Sequence, residues 1–364
     1  MLPDAPVCLI DARSYVIPTD APEADGTIEW DHTTIVVVEA TAGGLTGLGY
    51  TYASAAAVRV MAEVLAPVVA GMDAMAVGGA WTAMRRAVRN LGRDGLCAAA
   101  ISAVDAALWD LKAKLLDVPL ARLLGIRRNE VAIYGSGGFT SYDDAQLQAQ
   151  LGGWASEGLR DVKMKVGARP EDDDRRVGLA RAAIGPETGL FVDANGALTP
   201  RQALAFAERC VEHGVSWFEE PVSSDDLVGL AGVRARIPAT IEVAAGEYGY
   251  DPAYFDRMLG AGAVDVLQAD ATRCCGITGF LAASAFCDAR NTPLSAHTAP
   301  ALHLHACCAV SRLRHIEWFH DHVRVEAMLF DGAPRPHQGT IRPDLSRPGL
   351  GLSLRRADAE RYAT

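Results

Sequence analysis

The chain lacks the features that mark a membrane protein or a nucleic-acid-binding protein. Its 364 residues contain no run of 18 apolar residues free of charge, as a membrane-spanning helix requires. Residues 1–4 lack the basic start of a signal peptide, and no apolar run follows them. Basic residues do not cluster and the net charge is −11, whereas phosphate binding requires a concentrated basic surface. We therefore expect neither a membrane nor a nucleic acid as a partner.

The cysteines lack a pattern that forms a disulfide framework or a zinc site. Two adjacent pairs, Cys274-Cys275 and Cys307-Cys308, are among the eight, and no Cys-x-x-Cys occurs. Because no export signal is evident either, the expected location is the cytoplasm, where thiols stay reduced.

What the chain does contain is enough apolar sequence for a large core. Apolar residues make up 50% and charged residues 22%, which is typical of a globular protein. The length fits two domains, or one large α/β barrel with an attached domain. Residues 1–125 combine strand patterns with predicted helices over 53–69, 74–90 and 96–117, so we expect an α+β domain there.

A polar segment, residues 18–31, interrupts the strand patterns of this first domain. It carries five acidic residues and one large apolar residue, Trp30. Its length and polarity predict a loop, and such loops commonly act as lids over a functional site. The glycines that follow, at positions 43, 44, 47 and 49, are interpreted as marking tight turns.

From residue 126 onward, strand and helix patterns alternate, which predicts βαβ units and a parallel sheet. The predicted strands are residues 131–134, 161–166, 190–193, 216–219, 241–244, 263–268, 293–296 and 314–318. Their combined span is close to the lower end of the roughly 200 residues of a (β/α)₈ barrel. An open doubly wound sheet is the alternative, but no Gly-x-Gly-x-x-Gly turn follows the first strand. We therefore predict a barrel over 126–320, with residues 321–364 packing back on the first domain.

Polar residues, nearly all of them ionisable, stand at the predicted carboxyl ends of consecutive strands. They are Lys163 and Lys165, Asp193 and Asn195, Glu219, Glu247, Asp270, His297 and Glu317. An isolated Lys-x-Lys is usually the solvated face of a strand. Because the carboxyl ends of barrel strands carry the active site in this type of fold, we interpret the whole set as catalytic.

Three of these residues, Asp193, Glu219 and Glu247, come from adjacent strands and form a candidate metal site. Close carboxylates repel one another and become protonated unless a cation binds between them. An all-oxygen site favours Mg²⁺. The alternative for any one of these acids is a salt bridge at the rim of the barrel.

Two groups suited to proton transfer flank this site. Lys165 is expected to have a lowered pKa because Lys163 and a cation lie near it, so that its neutral amine can act as a base. His297 has Asp270 one strand earlier as a partner that can fix its tautomer. A lone histidine at a strand end is more often a core residue. His303 and His305 are interpreted as poor ligands, and His320 and His322 as surface or interdomain residues.

Taken in order, these residues resemble the mandelate racemase subgroup of the enolase superfamily, the mandelate racemase/muconate lactonizing enzyme family. The motifs that carry the resemblance are Ala100-Ile-Ser-Ala-Val-Asp-Ala-Ala-Leu-Trp-Asp110, Lys163-Met-Lys165, Asp193-Ala-Asn195, Glu219-Glu220-Pro221, Gly246-Glu247, Asp270, His297 and Glu317. The resemblance implies an α+β capping domain on a modified barrel and one Mg²⁺ bound by Asp193, Glu219 and Glu247. It also implies that the proton α to a carboxylate is removed to give a metal-stabilised enediolate.

The same resemblance implies a role for each remaining residue. Lys165 is the base on one face of the α-carbon, and the Asp270–His297 dyad serves the opposite face. Lys163 and Glu317 bind the substrate carboxylate, and Asn195 is a further candidate contact. Relatives often assemble as octamers, so a homo-oligomer is expected.

Two reactions would use these residues, and a third possibility uses none of them. The first is a lyase reaction, in which a small carboxylic acid, a mono-acid sugar, loses water to give a 2-keto-3-deoxy acid. The second is inversion at the α-carbon by a racemase or epimerase. The third is a catalytically silent protein, which the complete set of ligands and bases disfavours. Specificity is expected to depend on residues 18–31, whose acids disfavour a second carboxylate, and on residues 89–95; the role of Arg273 is open.

Overall fold

The computed structural model describes residues 5–364. Residues 1–4, on which the interpretation of the N-terminus partly rests, lie outside this range. Across the described part of the chain, the helices are too short or too polar to cross a lipid bilayer. The eight cysteines, all of them described, are free thiols.

The N-terminal part is a three-stranded antiparallel sheet in the order β1-β2-β3, covered by helices. The strands are β1 (Leu9–Ala24), β2 (Glu29–Ala42) and β3 (Leu45–Tyr52). The helices are α1 (Ala56–Val60), a π-helical turn (Met61–Leu65), α2 (Ala66–Val69), α3 (Val77–Ala87), α4 (Leu96–Leu115) and α5 (Leu120–Leu123). The three helical segments predicted from the sequence overlap these elements.

The prediction of a loop over residues 18–31 is wrong, because most of this segment belongs to the long hairpin of β1 and β2. The strands pair as far as Ala24 and Glu29, and the register shifts between Pro18 and Glu23. At the turn, Oδ1 of Asp25 accepts hydrogen bonds from the backbone N–H groups of Thr27 and Ile28 at 2.5 and 2.9 Å. The shift in register accommodates the prolines that had suggested a loop, since proline cannot donate to a ladder of hydrogen bonds.

The interpretation of Gly47 and Gly49 as turn residues is also wrong, because both lie inside β3 and pack against α4. A Cβ atom at Gly49 would stand 2.1 Å from the carbonyl oxygen of Ala103, and one at Gly47 would stand 2.1 Å from that of Ala107. The two glycines therefore allow the strand and the helix to approach each other at backbone distance.

We expect Gly49→Ala to destabilise the protein by about 3 kcal/mol, because two backbone segments would have to separate. Gly153→Ala is the matched control: Gly153 lies in a helix, and a Cβ atom added there would have no neighbouring atom within 4 Å. That change should stabilise by up to about 1 kcal/mol through helix propensity. Urea unfolding of both variants tests this, and equal effects would contradict the packing argument.

The remaining elements form a closed barrel of eight parallel strands in the described chain, β4 to β11, with β11 pairing with β4. The strands are β4 (Val131–Gly137), β5 (Asp161–Lys165), β6 (Gly189–Asp193), β7 (Val215–Glu219), β8 (Glu242–Ala245), β9 (Val266–Ala269), β10 (Leu294–Ala296) and β11 (Leu313–Phe319). The helices are α6 (Asp144–Ser156), α7 (Pro170–Ile184), α8 (Pro200–Cys210) with a 3₁₀ turn (Val211–His213), α9 (Leu227–Arg234), α10 (Pro252–Gly260), α11 (Gly276–Arg290) and α12 (Pro300–Cys307). The predicted barrel is confirmed.

Aromatic side chains fill the barrel below the polar rim. Tyr134, Phe191 and Trp217 form a buried cluster, and the rings of Phe191 and Trp217 stack with centroids 5.1 Å apart. Nζ of Lys163 lies 5.5 Å from the centroid of the Tyr134 ring, so this lysine stands directly on the aromatic layer. The floor of the site is therefore apolar and closed, which strengthens electrostatic interactions above it.

The C-terminal segment contacts both parts of the structure. It contains α13 (His320–Leu329), β12 (Phe330–Asp331), β13 (Thr340–Ile341), β14 (Ser353–Leu354), α14 (Arg356–Ala359) and a 3₁₀ turn (Glu360–Tyr362). β13 pairs with β4 of the barrel. The N–H of Leu350 donates to Oδ1 of Asp110 at 2.6 Å, and Arg356 pairs with Glu39 at 2.6 Å. The three domain boundaries given from the sequence stay a prediction.

A buried acid, Asp105, joins α4 to α11. Its two carboxyl oxygens accept hydrogen bonds from the N–H and the hydroxyl of Thr278 at 2.9 and 2.7 Å. Burial raises the pKa of Asp105 to about 7, against the hydrogen bonds from Thr278, which lower it. The folded protein therefore holds a proton on Asp105 that the unfolded chain releases at lower pH.

This proton makes stability depend on pH. The contribution is fully present below the unfolded pKa of about 3.9 and is lost as pH rises through about 7. Between pH 5.5 and 8 we expect wild type to lose about 2 kcal/mol relative to Asp105→Asn, which has no proton to lose at that position. Urea unfolding of both proteins at the two pH values tests this, and a stability difference independent of pH would contradict it.

Candidate active site

The two lysines of β5 both point into the mouth of the barrel, as their spacing predicts. Nζ of Lys163 lies 2.5 Å from Oε1 of Glu219, 2.8 Å from Oε1 of Glu317 and 3.3 Å from Oδ2 of Asp193. Nζ of Lys165 lies 2.6 Å from Oδ2 of Asp193 and 3.0 Å from Oδ1 of Asn195. Both side chains are buried, so the reading as a solvated strand face is wrong.

Asp193, Glu219 and Glu247 converge as the strand order predicts. One oxygen from each lies within 4.8 Å of the others, and all three residues are buried. Oε2 of Glu247 is buried without a hydrogen bond in the described residues, although Nε2 of His297 lies 3.1 Å away. Burial and, to a smaller extent, Asp193 raise the pKa of Glu219 to about 8 against the attraction of Lys163. Such a set of crowded, partly unsatisfied oxygens fits a hard divalent cation.

His297 and Asp270 form the predicted pair. Nδ1 of His297 lies 2.8 Å from Oδ2 of Asp270, whose Oδ1 accepts a hydrogen bond from the N–H of Thr272 at 2.6 Å. Burial lowers the pKa of His297, but Glu247, Glu317 and Asp270 together raise it to about 10. Nε2 points toward Glu247, so Asp270 orients the ring with one nitrogen toward the metal ligands.

Glu317 closes the ring of polar groups on the side of β4. Its Oε1 accepts a hydrogen bond from the hydroxyl of Ser136 at 2.6 Å, and its Oε2 accepts one from the N–H of Thr298 at 3.1 Å. Burial raises the pKa of Glu317, but Lys163 and His297 together lower it by more, so the net shift is downward. Glu317 is therefore held as a carboxylate.

Arg273, whose role was open, joins the metal ligands to the histidine pair. Its Nη1 lies 3.1 Å from Oε1 of Glu247, and its Nε lies 3.6 Å from Oδ2 of Asp270. Its guanidinium also covers the ring of Tyr248 at 5.1 Å. Because both acids are buried, this positive charge helps to keep them ionised.

Two adjoining cavities open above these residues. The inner cavity, about 290 Å³, is lined by Lys165, His297, Glu317, Glu247 and Asn195 together with the hairpin residues Asp25, Ile28 and Trp30. The outer cavity, about 950 Å³, shares Asn195 and Tyr248 with it. We place the chemistry in the smaller one, because it contains both proton-transfer groups. Lys163 is fully buried and does not line either cavity.

The prediction of a lowered pKa for Lys165 is wrong when only the protein residues, without a cation, surround the amine. Burial and Lys163 lower the pKa, but Asp193 and Glu247 outweigh them and raise it above its usual value. The prediction counted the neighbouring lysine and a cation but left out the carboxylate 2.6 Å away.

Comparison with known proteins identifies the family. Residues 146–359 match the enolase C-terminal domain-like family, and residues 17–125 match the N-terminal domain of the mandelate racemase / muconate lactonizing enzyme family. The chain belongs to the mandelate racemase/muconate lactonizing enzyme family. It is thus an enzyme of the enolase superfamily, as the motifs indicated.

Three similar proteins define this relationship further. A crystal structure of a mandelate racemase/muconate lactonizing enzyme-like protein from Rubrobacter xylanophilus is 52% identical, has a TM-score of 0.96 and covers 99% of this chain and 100% of that one. A racemase from Streptomyces coelicolor A3(2) with bound magnesium is 29% identical, has a TM-score of 0.93 and covers 98% and 100%. The arabinonate dehydratase of Saccharolobus solfataricus is 30% identical over 88% of both chains. Cycloisomerases also match.

In this member of the mandelate racemase/muconate lactonizing enzyme family, His303 and His305 bond to backbone groups away from the carboxylate triad. Nε2 of His303 accepts a hydrogen bond from the N–H of Ala271 at 2.8 Å, and Nδ1 of His305 accepts one from that of Ala121 at 3.1 Å. His320 and His322 contact Asp20 and Tyr52 across the two parts of the structure. His322 is buried and lines the inner cavity, so of the two readings given for it, surface or interdomain, the structure agrees with the second.

Several lining residues of this family member were missed by sequence reasoning. Ser136, Thr298 and Tyr248 contact functional residues or line the inner cavity, yet none carries a charge that stands out in a sequence. Ser136 follows the strand residue Gly135 by one position, and Thr298 follows His297. Their positions near the ends of strands, or in the case of Tyr248 directly after Glu247, could have indicated that they line the site.

Proposed function

We propose that the protein removes the proton α to the carboxylate of an acid sugar and then eliminates a β-hydroxyl as water, giving a 2-keto-3-deoxy acid. The observation that carries this proposal is the placement of two proton-transfer groups around one carboxylate triad. Lys165 contacts Asp193 on one side, and His297 lies 3.1 Å from Glu247 on the other. Both side chains line the inner cavity.

In this proposal Asp193, Glu219 and Glu247 hold Mg²⁺, which the convergence of three buried carboxylates supports. When bound, Mg²⁺ supplies stabilisation of the negative charge that develops on the substrate carboxylate. Asp193 would then be shared between the cation and Lys165. This sharing weakens the attraction that raises the pKa of the amine and favours its neutral form.

The chain's own residues then divide the proton transfers. Lys165 takes the α-proton, and Asn195 holds its amine in place at 3.0 Å. His297 is held as an imidazolium by its acidic neighbours, which suits it to donate a proton from Nε2 to the departing hydroxyl. Glu317, fixed by Ser136 and Thr298, and Lys163 behind it are proposed to bind the substrate carboxylate, with Glu317 taking up a proton when the substrate enters, because two carboxylates repel each other.

We further propose a substrate with one carboxylate and a neutral hydroxylated tail. Of the five acids in the hairpin, only Asp25 lines the inner cavity, so the hairpin repels a second carboxylate less than its composition suggests. The outer cavity has room for a hydroxylated tail, because hydroxyl groups line it together with arginines and acids. The hydroxyl-bearing residues are Thr27, Ser223, Ser224, Tyr248, Tyr250 and Tyr254. Arabinonate dehydratase, a relative, is named for a mono-acid.

Racemisation or epimerisation is the second candidate. The two groups on opposite sides of the triad favour it, since inversion needs one base for each face of the α-carbon. The similar structure of a racemase with bound magnesium supports it as well. A homo-oligomer in the cytoplasm is proposed for either reaction.

Incubation of the Mg²⁺-loaded protein in D₂O with a panel of acids, followed by NMR, tests these proposals. The panel contains aldonates of five and six carbons, aldarates and 2-hydroxy acids. A keto-deoxy product from an aldonate is the expected result. Deuterium incorporation without loss of substrate would support inversion instead, preference for an aldarate would contradict the mono-acid, and no reaction with any acid would favour the silent protein.

A further inference from the structure

Outside the active site, three possible metal ligands converge where the capping hairpin meets the barrel. Asp20 and Glu23 lie on β1, and His320 is the first residue of α13, directly after β11. Each offers one ligand atom, and these atoms all lie within 4.8 Å of one another. Nε2 of His320 stands 2.9 Å from Oδ2 of Asp20. Residues distant in the sequence thus bring an imidazole and two carboxylates to one point.

One carboxyl oxygen of Glu23 has no hydrogen-bond partner within the described residues. The residue is fully buried, and its Oε2 accepts a hydrogen bond from Nε1 of Trp30 at 2.8 Å. Its Oε1 is buried and has no hydrogen-bond partner among residues 5–364. Buried polar atoms are almost always paired, so an unpaired carboxyl oxygen beside two other ligands indicates a missing partner, which a bound cation would supply.

A simple ion pair does not explain this arrangement. The contact between Asp20 and His320 satisfies those two residues but leaves Oε1 of Glu23 unpaired. The nearby cation, Arg324, is engaged elsewhere: its Nη2 lies 2.5 Å from Asp321 and donates to the carbonyl oxygen of Pro18 at 2.6 Å. Arg324 is therefore not the partner of this oxygen.

The geometry points to a second cation site, formed by Asp20, Glu23 and His320, that takes a divalent transition metal, Zn²⁺ in the first place. An imidazole with two carboxylates binds Zn²⁺ better than it binds hard cations such as Mg²⁺ or Ca²⁺. Three protein ligands also leave one coordination position for water. The Asp20 and His320 side chains are 48% and 25% exposed, which gives the ion a path from solvent.

Such a site would tie the hairpin to the barrel. Glu23 holds the indole of Trp30, which lines the inner cavity, and His320 follows Glu317 by three residues. The tip of the hairpin packs directly on the barrel rim, where a Cβ at Gly26 would meet the carbonyl oxygens of Ala194 and Val166 at 2.5 and 2.7 Å. A cation at the three ligands would thus fix the cover of the active site at its base.

Zinc binding in a large excess of Mg²⁺ tests the site. We expect wild type to bind one Zn²⁺ that His320→Gln binds at least about tenfold more weakly, since even outer-shell changes have that effect. Glu23→Gln should behave likewise while keeping an acceptor for Trp30. The matched control is His213→Gln, which removes another histidine near a carboxylate, Asp174 at 3.3 Å, outside any such three-ligand cluster. It should bind zinc as wild type does.

Two further measurements locate and interpret the ion. Anomalous diffraction from zinc-soaked crystals should show a peak between His320 and Asp20. Hydrogen exchange of the hairpin should slow on zinc addition in wild type but not in His320→Gln, a partly exposed position where misfolding is not expected. A zinc peak only at Asp193, equal binding by His320→Gln, or no change in hairpin exchange would each overturn the inference.

Discussion

Lys165→Met is expected to lower turnover by about 10²- to 10⁴-fold while substrate binding changes little. General bases contribute about this much, and methionine keeps the length and apolar stem of lysine without a proton acceptor. The structure separates this residue from its neighbour, because Lys165 lines the inner cavity and Lys163 does not. Steady-state kinetics with an active acid from the panel provides the measurement, and kcat rather than KM should change.

His297→Asn provides the complementary measurement. The α-carbon carries one hydrogen, so if each group serves one face, Lys165→Met should still exchange this hydrogen in the epimer that presents it to His297. His297→Asn should exchange it in the epimer that presents it to Lys165. The retained exchange shows that each variant is folded and loaded with metal. By contrast, Lys163→Met should bind substrate poorly, since it leaves Glu219, Glu317 and Asp193 without a shared cation. Turnover by Lys165→Met above a tenth of wild type would disprove its role as the base.

The barrel could be predicted because its strands are short, apolar and regularly spaced, and because each ends in a polar residue. All eight predicted strands overlap observed ones, and Asp193, Glu219 and Glu247 meet because neighbouring strands in sequence are neighbours in the barrel. Strand order is local information in a barrel of repeated βα units, so sequence reasoning reaches the site directly.

The hairpin could not be predicted in this way. Its pairing joins residues such as Glu23 and Trp30 across a turn, and its register shifts at Pro18. Prolines and acids suggested solvent exposure, yet Glu23 is fully buried and Asp25 caps the turn. Long-range pairing and burial outweighed local composition, since β structure depends more on its neighbours than on intrinsic preference.

Individual contacts between side chains could not be predicted from the sequence either. Arg273 was noted as a candidate, but its contact with Glu247, 26 residues earlier, depends on the conformation of two loops. The raised pKa of Lys165 depends in the same way on one distance to Asp193. Charge pattern predicts which groups meet at a rim, whereas protonation depends on separations of a few ångströms.

The buried charges at the barrel mouth form an unbalanced set. Six carboxyl groups face four cationic groups, Lys163, Lys165, Arg273 and His297, so full ionisation leaves two negative charges. The acids are Asp193, Glu219, Glu220, Glu247, Asp270 and Glu317. One divalent cation would neutralise this excess. Without it, burial raises the pKa of Glu219 to about 8 and that of Glu220 well above its usual value, so protons are held there at neutral pH.

Removal of the metal with EDTA is therefore expected to lower turnover by about 10⁴-fold or more, if the cation stabilises the transition state by several kcal/mol.

Returning Mg²⁺ at pH 7 should release protons, because ionised Glu219 binds the cation and its raised pKa falls. Calorimetry in buffers of different ionisation enthalpy measures this release, and Glu219→Gln should reduce it. Mg²⁺ at 100 times its Kd should also stabilise wild type by about 2.7 kcal/mol, a shift that thermal unfolding detects without any substrate. Full turnover in EDTA would show that the carboxylate triad does not work through a cation, and Mg²⁺ binding with no proton release would contradict a raised pKa of Glu219.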